Sequence, residues 1–294
     1  MPRIAVAFYV VLWLIAFLVR ASLPGGTMVL PLFSLVVFGI ALPPLAWWLT
    51  RRVQTPTLTI PKPRTELIAI LLYLAIFAIV VLGWAFTALK TALPELSAHE
   101  LALDAVKAVT MIVLPVALLR LCGSDIATLL APRFQANLLP ALIGLGLIIL
   151  LISTFVTGAF EAIAALPPVT LAWAIPACFL WLAITAGLCE EVLFRVALQT
   201  RLEAVLQTTL PAILIASLIF ALVHVPGLVL RADTSDPSLG TLLGAVAYAI
   251  AVLSPPGVFL GLVWMRTRSL ALVAILHTLV DLPPNLAEFA HRWT

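Results

Sequence analysis

Charge is the scarce ingredient of this chain. Lys, Arg, Asp and Glu together make up 10% of its 294 residues, where soluble domains run at roughly 25%. That scarcity excludes a soluble globular domain: with 64% hydrophobic residues and a mean hydropathy of +1.21, the apolar surface could not be hidden from water. The net charge is only +3, and the cations are scattered through short stretches between apolar runs. No nucleic-acid partner is therefore expected. Cysteine is sparse as well. Cys122, Cys178 and Cys189 have no metal-type spacing and read as structural thiols, Cys189 included despite its place beside Glu190. There is no low-complexity stretch, no His-Glu-x-x-His zinc signature and no internal repeat of the kind that common transporters show.

Long apolar runs are what the chain has in abundance. A bilayer core of about 30 Å takes roughly 20 helical residues, and runs near that length recur near Ile4–Val19, Met28–Leu49, Leu67–Leu89, Leu101–Leu121, Leu138–Phe155, Leu171–Leu198, Leu210–His224, Leu239–Met265 and Leu270–Leu286. They predict an all-α, polytopic transmembrane bundle of eight or nine spans. The first run follows Arg3 as a signal peptide would, but Arg20 and Pro24-Gly25-Gly26 lead into another apolar run without a cleavage pattern, so an uncleaved anchor is expected. With nine alternating spans, Arg3, Arg51, Arg52, Lys62, Arg64, Arg120, Arg133, Arg201, Arg266 and Arg268 fall at one set of ends. Arg20, Lys90, Arg231 and Arg292 fall at the other, and the bias puts the amino terminus in the cytoplasm.

The chain divides unevenly. Residues 1–165 are generic hydrophobic helices, interrupted by the stiff basic linker Arg51–Arg64 with its Thr-Pro-Thr and Pro61-Lys62-Pro63-Arg64. Asp104 and Lys107 share a helical face and are expected to pair near an interface; His99 and His291 read as solvated. Residues 166–294 carry the chemistry. A charge at the centre of a membrane helix costs about 2.5–3.5 kcal/mol on insertion scales, so each ionisable group there needs a reason. Glu191 and Arg195 are four apart and stack on one helical face as a pair, while Glu190 points about 100° away. One carboxylate is neutralised and its neighbour stays available as a general base. Phe220 lies one turn before His224, and His277 one turn before Asp281. The acid can orient the imidazole, or the two can share a metal, with His224, His277, Asp281 and Glu190 as candidate ligands. Taken singly, a histidine in a membrane helix is as readily a packing residue, and Glu191 with Arg195 reads mostly as a structural pair. The combination on three separate spans favours one hydrophilic site.

Glu190-Glu191-x-x-x-Arg195, Phe220-x-x-x-His224 and His277-x-x-x-Asp281, in this order in a polytopic chain, resemble the CPBP family of intramembrane proteases. That family includes the type II CAAX prenyl endopeptidases and the bacteriocin-linked Abi group. The turn Trp264-Met265-Arg266-Thr267-Arg268-Ser269-Leu270 is similar too, and the likeness covers roughly Leu171–Leu286. The resemblance implies that Glu190 and His224 activate a water, that Glu191 and Arg195 hold the motif helix, and that His277 with the residue four later stabilises the oxyanion. That later residue is Asp281 where the prenyl endopeptidases have Asn, and an ionised Asp cannot donate a hydrogen bond. The expectation is an intramembrane endopeptidase acting on a membrane-associated peptide or protein in the bacterial inner membrane. Counting residues from Arg201, Arg266 and Arg268 places Glu190 and His277 at a site opening to the cytoplasm, with His224 fitting less well. No cofactor is favoured, and zinc is the alternative, since it acidifies bound water. A non-catalytic immunity or scaffold protein, and a transporter with a proton relay, are the competing readings. Nothing in the sequence specifies a lipidated substrate.

Overall fold

The computed structural model describes residues 2–56, 58–93, 95–131, 135–230 and 236–293. Thr57, Arg133 and Arg231, used above for the linker and the charge bias, lie outside the described residues. Nine helices among those described are long and apolar enough to cross a membrane: α1 (Pro2–Ser22), α2 (Val29–Leu49), α3 (Pro63–Ala92), α4 (Ala98–Leu121), α5 (Ala136–Val156), α6 (Pro168–Leu206), α7 (Thr209–Leu230), α8 (Leu242–Thr267) and α9 (Leu270–Arg292). The described residues contain no strand. This follows from the solvent, because in hydrocarbon only a helix or a closed barrel satisfies its own backbone N–H and C=O groups. The protein is an integral, multi-pass membrane protein of all-α architecture. Ile4, Phe8, Leu72, Ile79, Leu147 and Leu151 stay exposed on its outer surface, as lipid-facing side chains should.

Three of the helices that differ from their expected bounds do so for a visible physical reason. The polar tail of α6 stays helical through Leu206 because it is buried and bonded: Gln199 Nε2 donates to the Gly261 carbonyl (2.9 Å) and Arg201 pairs with Glu66 (3.0 Å). Helix α7 does not stop at His224 but turns there and continues to Leu230. Helix α8 starts at Leu242 and not Leu239, since Pro237–Gly240 is a 3₁₀ turn capped by the Asp236 carboxylate, which accepts from the Ser238 N–H (3.2 Å).

The helix ends gather into two opposite sets. At the arginine end, Arg201 binds Glu66 and Ser124, Arg266 Nη2 donates to the Thr50 carbonyl (3.1 Å), Asn137 donates to the Arg52 carbonyl (3.3 Å) and Arg268 pairs with Glu203. At the distal end, Arg20 pairs with Asp236 (2.6 Å) and Arg292 with Glu100 (3.2 Å). Arg201 and Arg268, expected only as markers of topology, are thus also structural. His99, expected to be solvated, is 6% exposed and lies 3.5 Å from Glu100; His291 is exposed. Between the ends, Phe38, Leu42 and Ala46 of α2 pack with Val192 and Val196 of α6, Phe259 and Val263 of α8, and Val273 and Leu276 of α9. The amino-terminal helices therefore brace the motif-bearing ones.

Gly187 lets α6 approach α9. A Cβ there would meet the Ala274 carbonyl oxygen and Thr278 Oγ1, each at 2.6 Å, closer than any real contact. Gly187→Ala is expected to destabilise by about 1–3 kcal/mol through overpacking and to lower activity by moving Glu190 and Glu191 away from His277. Thermal unfolding in detergent checks this; an unshifted midpoint would contradict the close approach.

The distal turn is tied to the first helix. Arg20, buried at the end of α1, donates to Asp236 and to Ser238 Oγ and lies 5.4 Å over the Tyr248 ring. Burial opposes ionisation of Asp236, but hydrogen bonds from Arg20 and Ser238 and the guanidinium charge outweigh it and hold the carboxyl below its usual range. A depressed folded-state value means that the clamp stabilises the turn above the ordinary carboxylate value and is lost as pH falls through the depressed one. Limited proteolysis within residues 236–241 is accordingly expected to rise only under strongly acidic conditions, whereas Asp236→Asn is cut at neutral pH. Equal resistance of that variant at neutral pH would contradict the clamp.

Candidate active site

Two adjacent carboxylates with different fates form the base of the site. Cys189–Glu191 is a single α-turn set between π-helical stretches at Ala183–Leu188 and Val192–Gln199, and such wide turns inside helices are frequent at functional sites. Glu191 turns inward. Its Oε2 accepts from Arg195 Nε at 2.9 Å, with both side chains fully buried, and the guanidinium sits 5.2 Å over the Phe220 ring. Glu190 faces the other way, into a cavity of about 350 Å³, and its buried Oε2 has no hydrogen-bond partner among the described residues. The pair and the offset of its neighbour are as the spacing predicts.

Both histidines arrive at Glu190. His224 Nε2 and His277 Nε2 each lie 3.7 Å from Glu190 Oε2, so α6, α7 and α9 converge on one carboxylate oxygen. The other ring nitrogens fix the tautomers. His224 Nδ1–H donates to the Phe220 carbonyl at 2.8 Å, which leaves Nε2 of the neutral ring as an acceptor. His277 Nδ1–H donates to Glu191 Oε1 at 2.8 Å. Phe220 joins these parts, with ring centroids 5.0 Å from His224, 6.1 Å from His277 and 5.2 Å from Phe194.

Asp281 Oδ2 is 3.5 Å from His277 Nε2, on the side away from the Glu191 bond. The orienting partner of His277 is therefore Glu191 and not Asp281. Sequence reasoning missed this bond because the two residues are 86 positions apart and on different helices. Among the described residues, no group of three or more His, Cys, Asp or Glu is arranged to hold a metal ion. Residues 171–283 match the family described as type II CAAX prenyl endopeptidase Rce1-like.

That segment belongs to the CPBP family.

No curated protein and no solved structure matches the chain. The CPBP segment contains Glu190, Glu191, Arg195, Phe220, His224, His277 and Asp281, and the family match supports an intramembrane CAAX-type protease in general. The cavity draws on more than that segment. Phe77, Leu82 and Phe86 of α3 and Lys107 and Met111 of α4 form its wall opposite Glu190, Phe194, Val223 and His224. Lys107 pairs with Asp104 at 3.4 Å, as the shared face predicts, and adds a cation to the cavity lining. Cys178 and Cys189 are buried free thiols.

Proposed function

We propose that the protein hydrolyses a peptide bond of a membrane-associated peptide, using a water held between Glu190 and His224 and no metal. The observation that carries this reading is the facing of two acceptors. Glu190 Oε2 and His224 Nε2 stand 3.7 Å apart, beyond hydrogen-bond range, and two acceptors at that distance are reconciled by a donor with two O–H groups. A water placed there donates to both. Glu190 removes its proton as the oxygen attacks the scissile carbonyl carbon, the C=O pair moves onto oxygen, and the proton passes to the departing amine nitrogen as the C–N bond breaks. His277, held by Glu191, offers Nε2–H in its imidazolium form to the developing oxyanion. Asp281, with Oδ2 3.5 Å from His277 Nε2, balances that charge. A partly closed, apolar chamber strengthens each of these interactions relative to water.

Purified protein in detergent, given a library of apolar peptides, tests the reading. Cleavage that survives a strong chelator is expected. Cleavage abolished by the chelator and restored by zinc would assign His224, His277 and a carboxylate to a metal instead, and no cleavage of any peptide would contradict the peptidase reading.

A further inference from the structure

We propose that the turn after α2 is a binding site for one anionic phospholipid headgroup, held by Arg51, Arg52 and Arg266 beside the rings of Trp47 and Trp48. The site stands apart from Glu190 and does not rest on the peptidase reading.

Its position follows from the spans. Helix α2 ends at Leu49 and α8 at Thr267, and Arg266 of α8 bonds to Thr50, so the three arginines stand where two spans leave the hydrocarbon together. Trp47 and Trp48 are 51% and 54% exposed at the same level. Indole rings settle at headgroup depth, and here each carries a guanidinium. That of Arg266 lies 4.3 Å over Trp47 and that of Arg51 lies 4.9 Å over Trp48.

The turn is built to hold these groups outward. Thr50 is fully buried, with its hydroxyl donating to the Ala46 carbonyl at 2.7 Å, and Val53 is buried as well; between them Arg51 and Arg52 are exposed. The backbone is pinned at three points. Arg266 Nη2 donates to the Thr50 carbonyl (3.1 Å), Asn137 Nδ2 to the Arg52 carbonyl (3.3 Å) and Thr55 Oγ1 to the Arg266 carbonyl (2.6 Å). A turn formed in advance loses little freedom when a ligand binds.

What the turn lacks is an anion. Arg20, Arg195, Arg201, Arg268 and Arg292 each bind a carboxylate, and those pairs consume Glu66 and Glu203 of the arginine end. Among the described residues no carboxylate pairs with Arg51, Arg52 or Arg266, whose contacts are the two rings and Thr50. A guanidinium stacked on a ring keeps an N–H edge free, and that edge matches phosphate oxygens two at a time. The surface beneath selects a lipid as the source of the phosphate. Ile40, two turns before Trp47 on α2, and Ile143 and Leu147 of α5 are exposed and apolar, and the two helices meet where Gly144 leaves room for Leu49. Acyl chains can lie along that seam with their headgroup at the arginines.

Native mass spectrometry of the purified protein in detergent tests the site, with phosphatidylglycerol, phosphatidylcholine and inorganic phosphate as separate probes. Phosphatidylglycerol is expected to stay bound and the other two are not. Arg51→Ala with Arg52→Ala is expected to weaken its binding roughly 30-fold, the product of two cations acting at an anionic surface. Arg51→Gln with Arg52→Gln serves if truncation disturbs the turn. The charge-matched control is Arg64→Ala with Arg120→Ala, exposed cations of α3 and α4 at the same end, which is expected to bind as the parent does. Equal retention of phosphatidylcholine, undiminished binding in the Arg51 and Arg52 variants, or equal losses in both double variants would overturn the site. Displacement of phosphatidylglycerol by free phosphate would overturn the lipid as its ligand.

Discussion

Glu190→Gln lowers peptide cleavage by about 10²–10⁴-fold, the span that a positioned general base contributes, and leaves thermal unfolding unchanged or slightly improved. The reasoning is local. Glu190 Oε2 is a buried acceptor with no hydrogen-bond partner among the described residues, and its side chain is 19% exposed. Its charged neighbours, the His224 and His277 rings at 3.7 Å, are beyond hydrogen-bond range, so removing the charge relieves a buried acceptor and loses only a weak ion-pair contact. The amide keeps the shape of the side chain but cannot take a proton from water. A variant that cleaves as fast as the parent would remove Glu190 from the chemistry, whereas one that fails to fold would make it structural.

Its neighbour is expected to behave in the opposite manner. Among the described residues, Glu191→Ala leaves the fully buried Arg195 guanidinium with the Phe220 ring alone and frees the His277 ring from its orienting bond. Stranding one partner of a buried ion pair costs about 3–5 kcal/mol, so unfolding in detergent shifts sharply and activity falls with it. Glu191→Gln keeps an acceptor for His277 and restores part of the stability. If Glu191→Ala unfolds like the parent yet loses cleavage, Glu191 acts at the reacting centre and the division of labour between the two acids is wrong.

Those two outcomes rest on features of very different legibility. Nine apolar runs could be read from the sequence because hydropathy is a local property and the bilayer fixes the length of a span. The Glu191–Arg195 pair was legible for the same reason, being one helical turn apart. Bonds between distant helices left no local trace: Glu191 to His277, Arg201 to Glu66, and Arg20 to Asp236 at a separation of 216. Without those partners, Arg201 and Arg20 look like loop charges and α6 looks shorter than it is. Counting from the nearest arginines assumes that a site opens toward them. Here the helix segment between site and arginines is packed solid, and His224, which seemed too far along its span, meets Glu190 because Glu190 lies equally deep.

The central claim is that Glu190 and His224 act on one water. The most direct test compares kcat/KM for Glu190→Gln, His224→Ala and the double variant. Groups that work as a unit are strongly non-additive, so the double variant is expected to be no slower than the worse of the two single ones. Losses that multiply would mean that the acid and the imidazole serve separate steps, and the shared-water account would fail.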